Sequence, residues 1–344
     1  MALLSTPKNG LGLRMSHLLI PPPSRRILPM PDTPRGSDAS QDLFTPLTVA
    51  LPDGRTLGLT RYGNPAHQAV VFHHGFGSSG RELPPATALL ARLKLQILAP
   101  DRPGVGASSV YRRLTFPSFA DDVVAMLAAL EIIGPVGVIG WSLGGVHALA
   151  LAARYPARVA AGQLLSTCLP LGEPTSYRHL SPLWKALRWG QIGFPWLNRA
   201  TFMWLSRQWA RRPDAVINWF VRLMWQAEKE VASQPGFREL LRDAAVHGFA
   251  HHGRGVFDDA QAWCRRPGFA IEDVQAPVSL WHGTADGVWA PGNIPYLAGR
   301  LARARVQLLP GQGHMLYLEN WEAILVEMRS MLDSETGPAT IPMQ

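Results

Sequence analysis

Val136-Gly137-Val138-Ile139-Gly140-Trp141-Ser142-Leu143-Gly144-Gly145 is the stretch that decides the fold. An apolar, β-branched run enters Gly-x-Ser-x-Gly and leaves as an alanine-rich helical pattern, Val146–Tyr155. A strand that turns directly into a helix around a serine needs a strained backbone at that serine, which pushes its hydroxyl clear of the chain. Gly140 and Gly144 flank it because a side chain at either would collide across the turn. The amide of Leu143, first in the helix, is free to donate to a developing oxyanion. The bland alternative is a glycine-rich turn carrying an idle serine. With strand and helix both expected, the spacing predicts a nucleophile elbow at Ser142.

A serine nucleophile needs a base, and the base needs an orienting acid. Downstream, Val278-Ser-Leu-Trp-His-Gly-Thr-Ala-Asp286 places a carboxylate in a loop just past an apolar run. Leu309-Pro-Gly-Gln-Gly-His314 places a histidine in a glycine-rich loop just before a helical pattern. Taken singly, Asp286 reads as a surface carboxylate and His314 as a helix cap. In the order Ser, Asp, His, each at a strand end where α/β sheets place their sites, they predict a triad.

Outward from the elbow, short apolar runs at 69–73, 96–99, 136–139, 163–166, 278–281 and 306–309 are expected to be strands buried on both faces. Helical patterns near 84–94, 117–131, 143–155, 294–303 and 319–332 alternate with them, which predicts a mostly parallel sheet flanked by helices. Before these, 45–51 and 55–62 read as a hairpin turned at Asp53-Gly54. The alternation stops between 171 and 274, where eight of the twelve tryptophans fall in helical periodicity. This predicts an inserted helical cap, with the α/β core in 43–170 and 275–333. Residues 1–42 are expected to be a flexible Pro-rich leader, with Met15 or Met30 as alternative starts, and 334–344 a flexible tail.

Of 344 residues, 47% are hydrophobic and 17% charged, which excludes a disordered chain. Net charge is +8, with 29 Arg and only four Lys, yet no nucleic-acid motif accompanies it. Two cysteines, Cys168 and Cys264, exclude a disulfide scaffold and a cysteine zinc site; they suit a reducing, cytoplasmic location. Residues 132–153 carry no charged side chain, long enough to span a bilayer, but their five glycines and mid-stretch change of pattern read as strand, turn and helix. His247 and His251 are spaced i, i+4, but lack the intervening Glu and a third ligand, so no metal site is expected.

These motifs are similar to those of the α/β-hydrolase superfamily, over about Phe44 to Leu332. Phe72-His-His-Gly-Phe76 resembles the family's turn after strand three, which implies the amide of Phe76 as the second oxyanion donor beside Leu143. Asp101-Arg-Pro-Gly-Val-Gly-Ala-Ser108 resembles its turn after strand four, which implies structural roles for Asp101 and Arg102. Ser142 departs from dehalogenases and epoxide hydrolases, which need Asp there. The elbow also departs from the Gly-Gly-Ser-Trp-Gly of proline iminopeptidases. Some relatives carry the acid after strand six, where this chain has Ser166-Thr-Cys-Leu-Pro170 and no carboxylate. Gly-Trp-Ser-Leu-Gly-Gly is similar to carboxylesterases that demethylate acyl chains on carrier proteins. Trp141 and His74 are candidates to line the substrate pocket.

The expected activity is hydrolysis of a carboxylic ester or related acyl bond, requiring neither cofactor nor metal. Two rivals stay open: an acyltransferase using the same triad, and a non-catalytic ligand-binding member of the fold. The cap is expected to roof the pocket with tryptophan. On its helical wheel Phe202, Leu205 and Trp209 share one face, and Trp204, Arg207 and Arg211 another. The second face is either simply solvated or meets an anionic amphiphile, a lipid surface or an acidic acyl carrier. No transmembrane segment is expected.

Overall fold

The computed structural model describes residues 44–336, so the expected leader and most of the tail lie outside the described residues. The hairpin is β1 (Thr45–Ala50) and β2 (Thr56–Tyr62), antiparallel and in register from Thr45 opposite Arg61. The chain then alternates: β3 (Gln68–His73), α1 (Thr87–Leu93), β4 (Leu95–Pro100), α2 (Phe116–Ala129), β5 (Val136–Trp141), α3 (Leu143–Arg154) and β6 (Val159–Leu165). Seven helices intervene before the next strand. They are α4 (Pro174–Tyr177), α5 (Pro182–Gly193), α6 (Pro195–Arg211), α7 (Pro213–Leu223), α8 (Gln226–Ala232), α9 (Phe237–Gly248) and α10 (Ala250–Cys264). The sheet resumes with β7 (Val278–Gly283), α11 (Ile294–Ala298), β8 (Ala304–Leu309) and α12 (Leu316–Thr336).

The eight strands form one sheet in the order β1-β2-β4-β3-β5-β6-β7-β8. Pairings from β4 to β8 are parallel, and β2 joins β4 antiparallel. Alternate residues of the central strands face opposite layers, as the two-residue period requires. Val71, Val138 and Leu280 pack with α2, α3 and α11; Val70, Ile139 and Trp281 pack with α1 and α12. The charge-free stretch 132–153 is β5 and α3, buried in these two layers. No helix among the described residues is long and apolar enough to cross a membrane.

Three elements differ from expectation. β8 is the exposed edge of the sheet, not a strand buried on both faces, because nothing pairs beyond it among the described residues. The helix expected over 294–303 ends at Ala298, where Gly299 and a turn intervene. At the end of α9 the chain does not continue as one straight helix: His251, His252 and Gly253 all have positive φ. His247 and His251 therefore do not share a helix face. His251 Nε2 contacts the Gly106 carbonyl at 3.0 Å, while His247 Nδ1 lies 3.6 Å from Asp101. Among the described residues no group of His, Cys, Asp or Glu could hold a metal ion.

Candidate active site

Every parallel strand of this sheet ends on the same edge, and the chain spends that edge on polar residues. Ser142 follows β5 with φ 54° and ψ −120°, a conformation that L-residues rarely adopt. The surroundings hold it there: its amide donates to Leu165 O at 2.9 Å, and its carbonyl accepts from Gly145 and Cys168. A Cβ on Gly144 would collide with the carbonyls of His73 and His74, and one on Gly140 with the backbone of Gly144. The elbow is thus pressed directly onto the turn after β3. Leu143 opens α3, so its N–H has no partner within the helix.

The loops after β7 and β8 bring Asp286 and His314 to Ser142. His314 Nε2 lies 3.0 Å from Ser142 Oγ, and His314 Nδ1 lies 2.9 Å from Asp286 Oδ2. With Nδ1–H donating to the carboxylate, Nε2 is left as the acceptor for the serine hydroxyl. Asp286 Oδ1 accepts from the amides of Val288 and Trp289, both at 2.8 Å. Burial alone would raise the Asp286 carboxyl, but His314, His282 and the Trp289 amide together hold it below the ordinary carboxylate value. All three side chains are buried.

Two residues expected to line the pocket, His74 and Trp141, are buried beside the site. His74 is buried in the turn after β3, its Nδ1 donating to the Gly75 carbonyl at 2.9 Å and its Nε2 accepting from the Arg102 amide. Both ring nitrogens are thus engaged inside that turn. Trp141 is also buried; its indole N–H donates to His314 O at 2.9 Å and its ring packs on His314 and Tyr317. It braces the histidine loop. Phe76, by contrast, is half-buried with its ring against Phe202 and Trp263, so it joins the core turn to the helical insertion.

The insertion also reaches the site. Glu228 of α8 is fully buried, and its Oε1 accepts from the His314 amide at 2.6 Å. Trp225 packs so closely on Gly287, beside Asp286, that no side chain fits there. Asp259 of α10 pairs with Arg102 at 2.9 Å and contacts His147 at 3.2 Å. Arg102 in turn donates to the carbonyls of His74 and Gly75, both at 2.7 Å, and so holds the turn that presents Phe76. From the other side the Gly75 amide donates to buried Glu82 at 2.8 Å. His282 contacts the Trp289 carbonyl at 2.8 Å and lies 3.5 Å from Asp286. Of these, Arg102 was expected from its resemblance to the family's turn after strand four, and His282 had a local signal in its i, i+4 spacing to Asp286.

A family model described as alpha/beta hydrolase fold matches residues 68–320. A pimeloyl-[acyl-carrier protein] methyl ester esterase of Aromatoleum aromaticum is 28% identical over 270 residues, covering 75% of this chain and 96% of that protein. An ethanol acetyltransferase of Eremothecium cymbalariae is 29% identical over 136 residues, covering 39% of this chain and 36% of its own. Among solved structures, a thermophilic esterase from Thermogutta terrifontis aligns with TM-score 0.62 and 19% identity, over 85% of this chain and 100% of that one. At that identity the likeness is one of fold.

Proposed function

The chain belongs to the alpha/beta hydrolase fold family as an esterase-type hydrolase, and on that premise we propose that it cleaves a carboxylic ester through an acyl-enzyme on Ser142. The Ser142 hydroxyl attacks the ester carbonyl while His314 Nε2 takes its proton. Negative charge develops on the carbonyl oxygen, where the amides of Leu143 and Phe76 donate to it. Collapse breaks the C–O bond, and the alcohol leaves with the proton returned by His314. Water then repeats the sequence: His314 takes its proton, the acyl carbon is attacked, and the acid departs from Ser142. Asp286 orients the imidazole and stabilises it while it is positive.

The observation that carries this reading is the positive-φ serine 3.0 Å from a histidine that a carboxylate holds at 2.9 Å. Proton transfer needs that reach before it needs any particular pKa. The experiment is Ser142→Ala, with turnover of short p-nitrophenyl esters and the far-UV spectrum read together. The proposal requires turnover to vanish with the fold intact; retained turnover overturns it.

The substrate class follows from the insertion and the relatives. A methyl or other small-alcohol ester of an acyl chain, attached to an acidic carrier or itself an anionic amphiphile, suits the basic surface around Arg207 and Arg211. The carrier-linked esters named for the Aromatoleum relative support that choice. Acyl transfer to an alcohol is the second reading, favoured by the partial match to an ethanol acetyltransferase. Added alcohol acceptors separate them, since a transferase diverts product to the new ester while a hydrolase keeps forming acid.

A further inference from the structure

The helices α5 and α6 form a hairpin joined by Phe194 alone, and large apolar side chains are exposed on its outside as well as packed on its inside. Inside, Trp184 stacks on Trp289 at 4.5 Å and donates to the Val288 carbonyl, which docks α5 over the Asp286 loop. Outside, Leu183 and Leu187 lie one turn apart and both are exposed. At the turn itself Ile192, Phe194, Trp196 and Leu197 crowd together, with Phe194 58% and Trp196 69% exposed. Farther along α6, Trp204 is 54% exposed. Large apolar side chains exposed together at a surface mark a face that meets a partner or a membrane.

The charges around the hairpin say what covers it. Between Glu173 and Asp214 there is no acidic residue, while Arg178, Lys185, Arg188, Arg199, Arg207, Arg211 and Arg212 are all basic. Among the described residues, no carboxylate pairs with Arg199, Arg207, Arg211 or Arg212, all of which are exposed. A second copy of the chain, meeting this face by a two-fold axis, would set cations against cations. Aromatic and aliphatic side chains at a tip, with tryptophan and arginine behind them, match the depth profile of a bilayer interface.

We propose that the α5–α6 hairpin is a monotopic membrane anchor that inserts Phe194, Trp196 and Leu197 into the surface of an anionic bilayer and sets the flanking arginines against its headgroups. The inner side of the same hairpin rests on the Asp286 loop through Trp184, which ties the anchor to the site. This goes beyond the esterase reading and does not require it: Ser142→Ala protein is expected to bind vesicles as the wild type does.

The test is flotation of the full chain with vesicles of equal parts phosphatidylglycerol and phosphatidylcholine, against vesicles of phosphatidylcholine alone. The wild type should float with the anionic vesicles and much less with the neutral ones. Raised salt should weaken the binding, as exposed charges are screened beyond about 10 Å at 0.1 M. Phe194→Ser with Trp196→Ser should lower the partition coefficient by about tenfold or more while leaving turnover of p-nitrophenyl acetate unchanged. Should that pair fail to fold, Trp196→Ser alone reads the same loss at smaller size. Equal flotation of wild type and tip variant overturns the proposal, as does no flotation with anionic vesicles. A dimer that the tip variant dissociates, or saturable binding of an acidic acyl carrier at the tip without vesicle binding, also overturns it in favour of that occupant.

Discussion

The two ends of the helical insertion use charged residues to opposite ends. In α8 and α10, Glu228 and Asp259 are buried and bonded into the core, one to the His314 amide and one to Arg102. In α5 and α6, the charged side chains are arginines and a lysine, of which Arg199, Arg207 and Arg211 are exposed, and large apolar residues are exposed beside them. The difference teaches that the insertion is not a uniform lid. Its inner half is built into the loops that hold Ser142, Asp286 and His314, and moving it would unpair buried carboxylates. Its outer half docks on the Asp286 loop through Trp184 without any buried carboxylate, and its outward side is available as a surface. Deleting the insertion to expose the site should therefore damage the site.

The largest expected effect lies at the core end of that contrast. Asp286→Asn should lower kcat by about 10⁴-fold, as in other triads where the acid is replaced by its amide, because the imidazole loses its fixed tautomer. Steady-state kinetics with the fold checked by circular dichroism measures it. Activity near wild type would move the orienting role to another carboxylate. Asp259 is a poor replacement, since both its oxygens are engaged by Arg102 and His147.

Next in size is the attachment of the inner half. Glu228→Ala should lower kcat on the order of 10²-fold with KM little changed, since a small displacement of a positioned base has that scale of effect. Glu228→Gln keeps an acceptor for the His314 amide and should recover most of the loss. A change in KM alone, with no rescue by Gln, would mean that Glu228 faces substrate instead of positioning the histidine.

The parts of this arrangement that were legible in the sequence are those that backbone geometry decides. Gly140, Gly144 and the switch from β-branched to alanine-rich sequence define the elbow locally, and the chain order of Asp286 and His314 needs only strand ends. Glu228 could not be found that way. In Gln226-Ala-Glu-Lys-Glu it reads as an ordinary solvated acid, and only the packing of α8 on the His314 loop buries it. The orientations of Trp141 and His74 were out of reach for a related reason. Adjacency to a nucleophile or an oxyanion turn says nothing about which way a ring points, and both rings point into the protein. The left-handed residues at 251–253 were equally invisible, since two of the three are histidines and not glycines.

A smaller effect tests the turn between core and insertion by pH. Burial pushes the Glu82 carboxyl up to about 8 from its ordinary 4.5, against the pull of its Ser78, Gly75 and Arg102 contacts. The folded state therefore binds this proton more tightly than the unfolded chain does. Its contribution to stability is full below about 4.5 and declines as pH rises toward about 8. Glu82→Gln keeps an acceptor for the Gly75 amide and cannot ionise, so its stability relative to wild type should rise by at least about 1 kcal/mol across that window. Thermal midpoints of both proteins between those limits measure it. Parallel curves would show that Glu82 is ionised in the folded protein throughout.

The nucleophile itself is open to the most direct measurement. A fluorophosphonate probe should label the wild-type chain once, and peptide mapping should place the adduct on Ser142. Ser142→Ala should not be labelled, and Asp286→Asn should be labelled far more slowly. Stable labelling of a different serine, or labelling that survives in Ser142→Ala, would contradict the assignment of the elbow as the reacting centre.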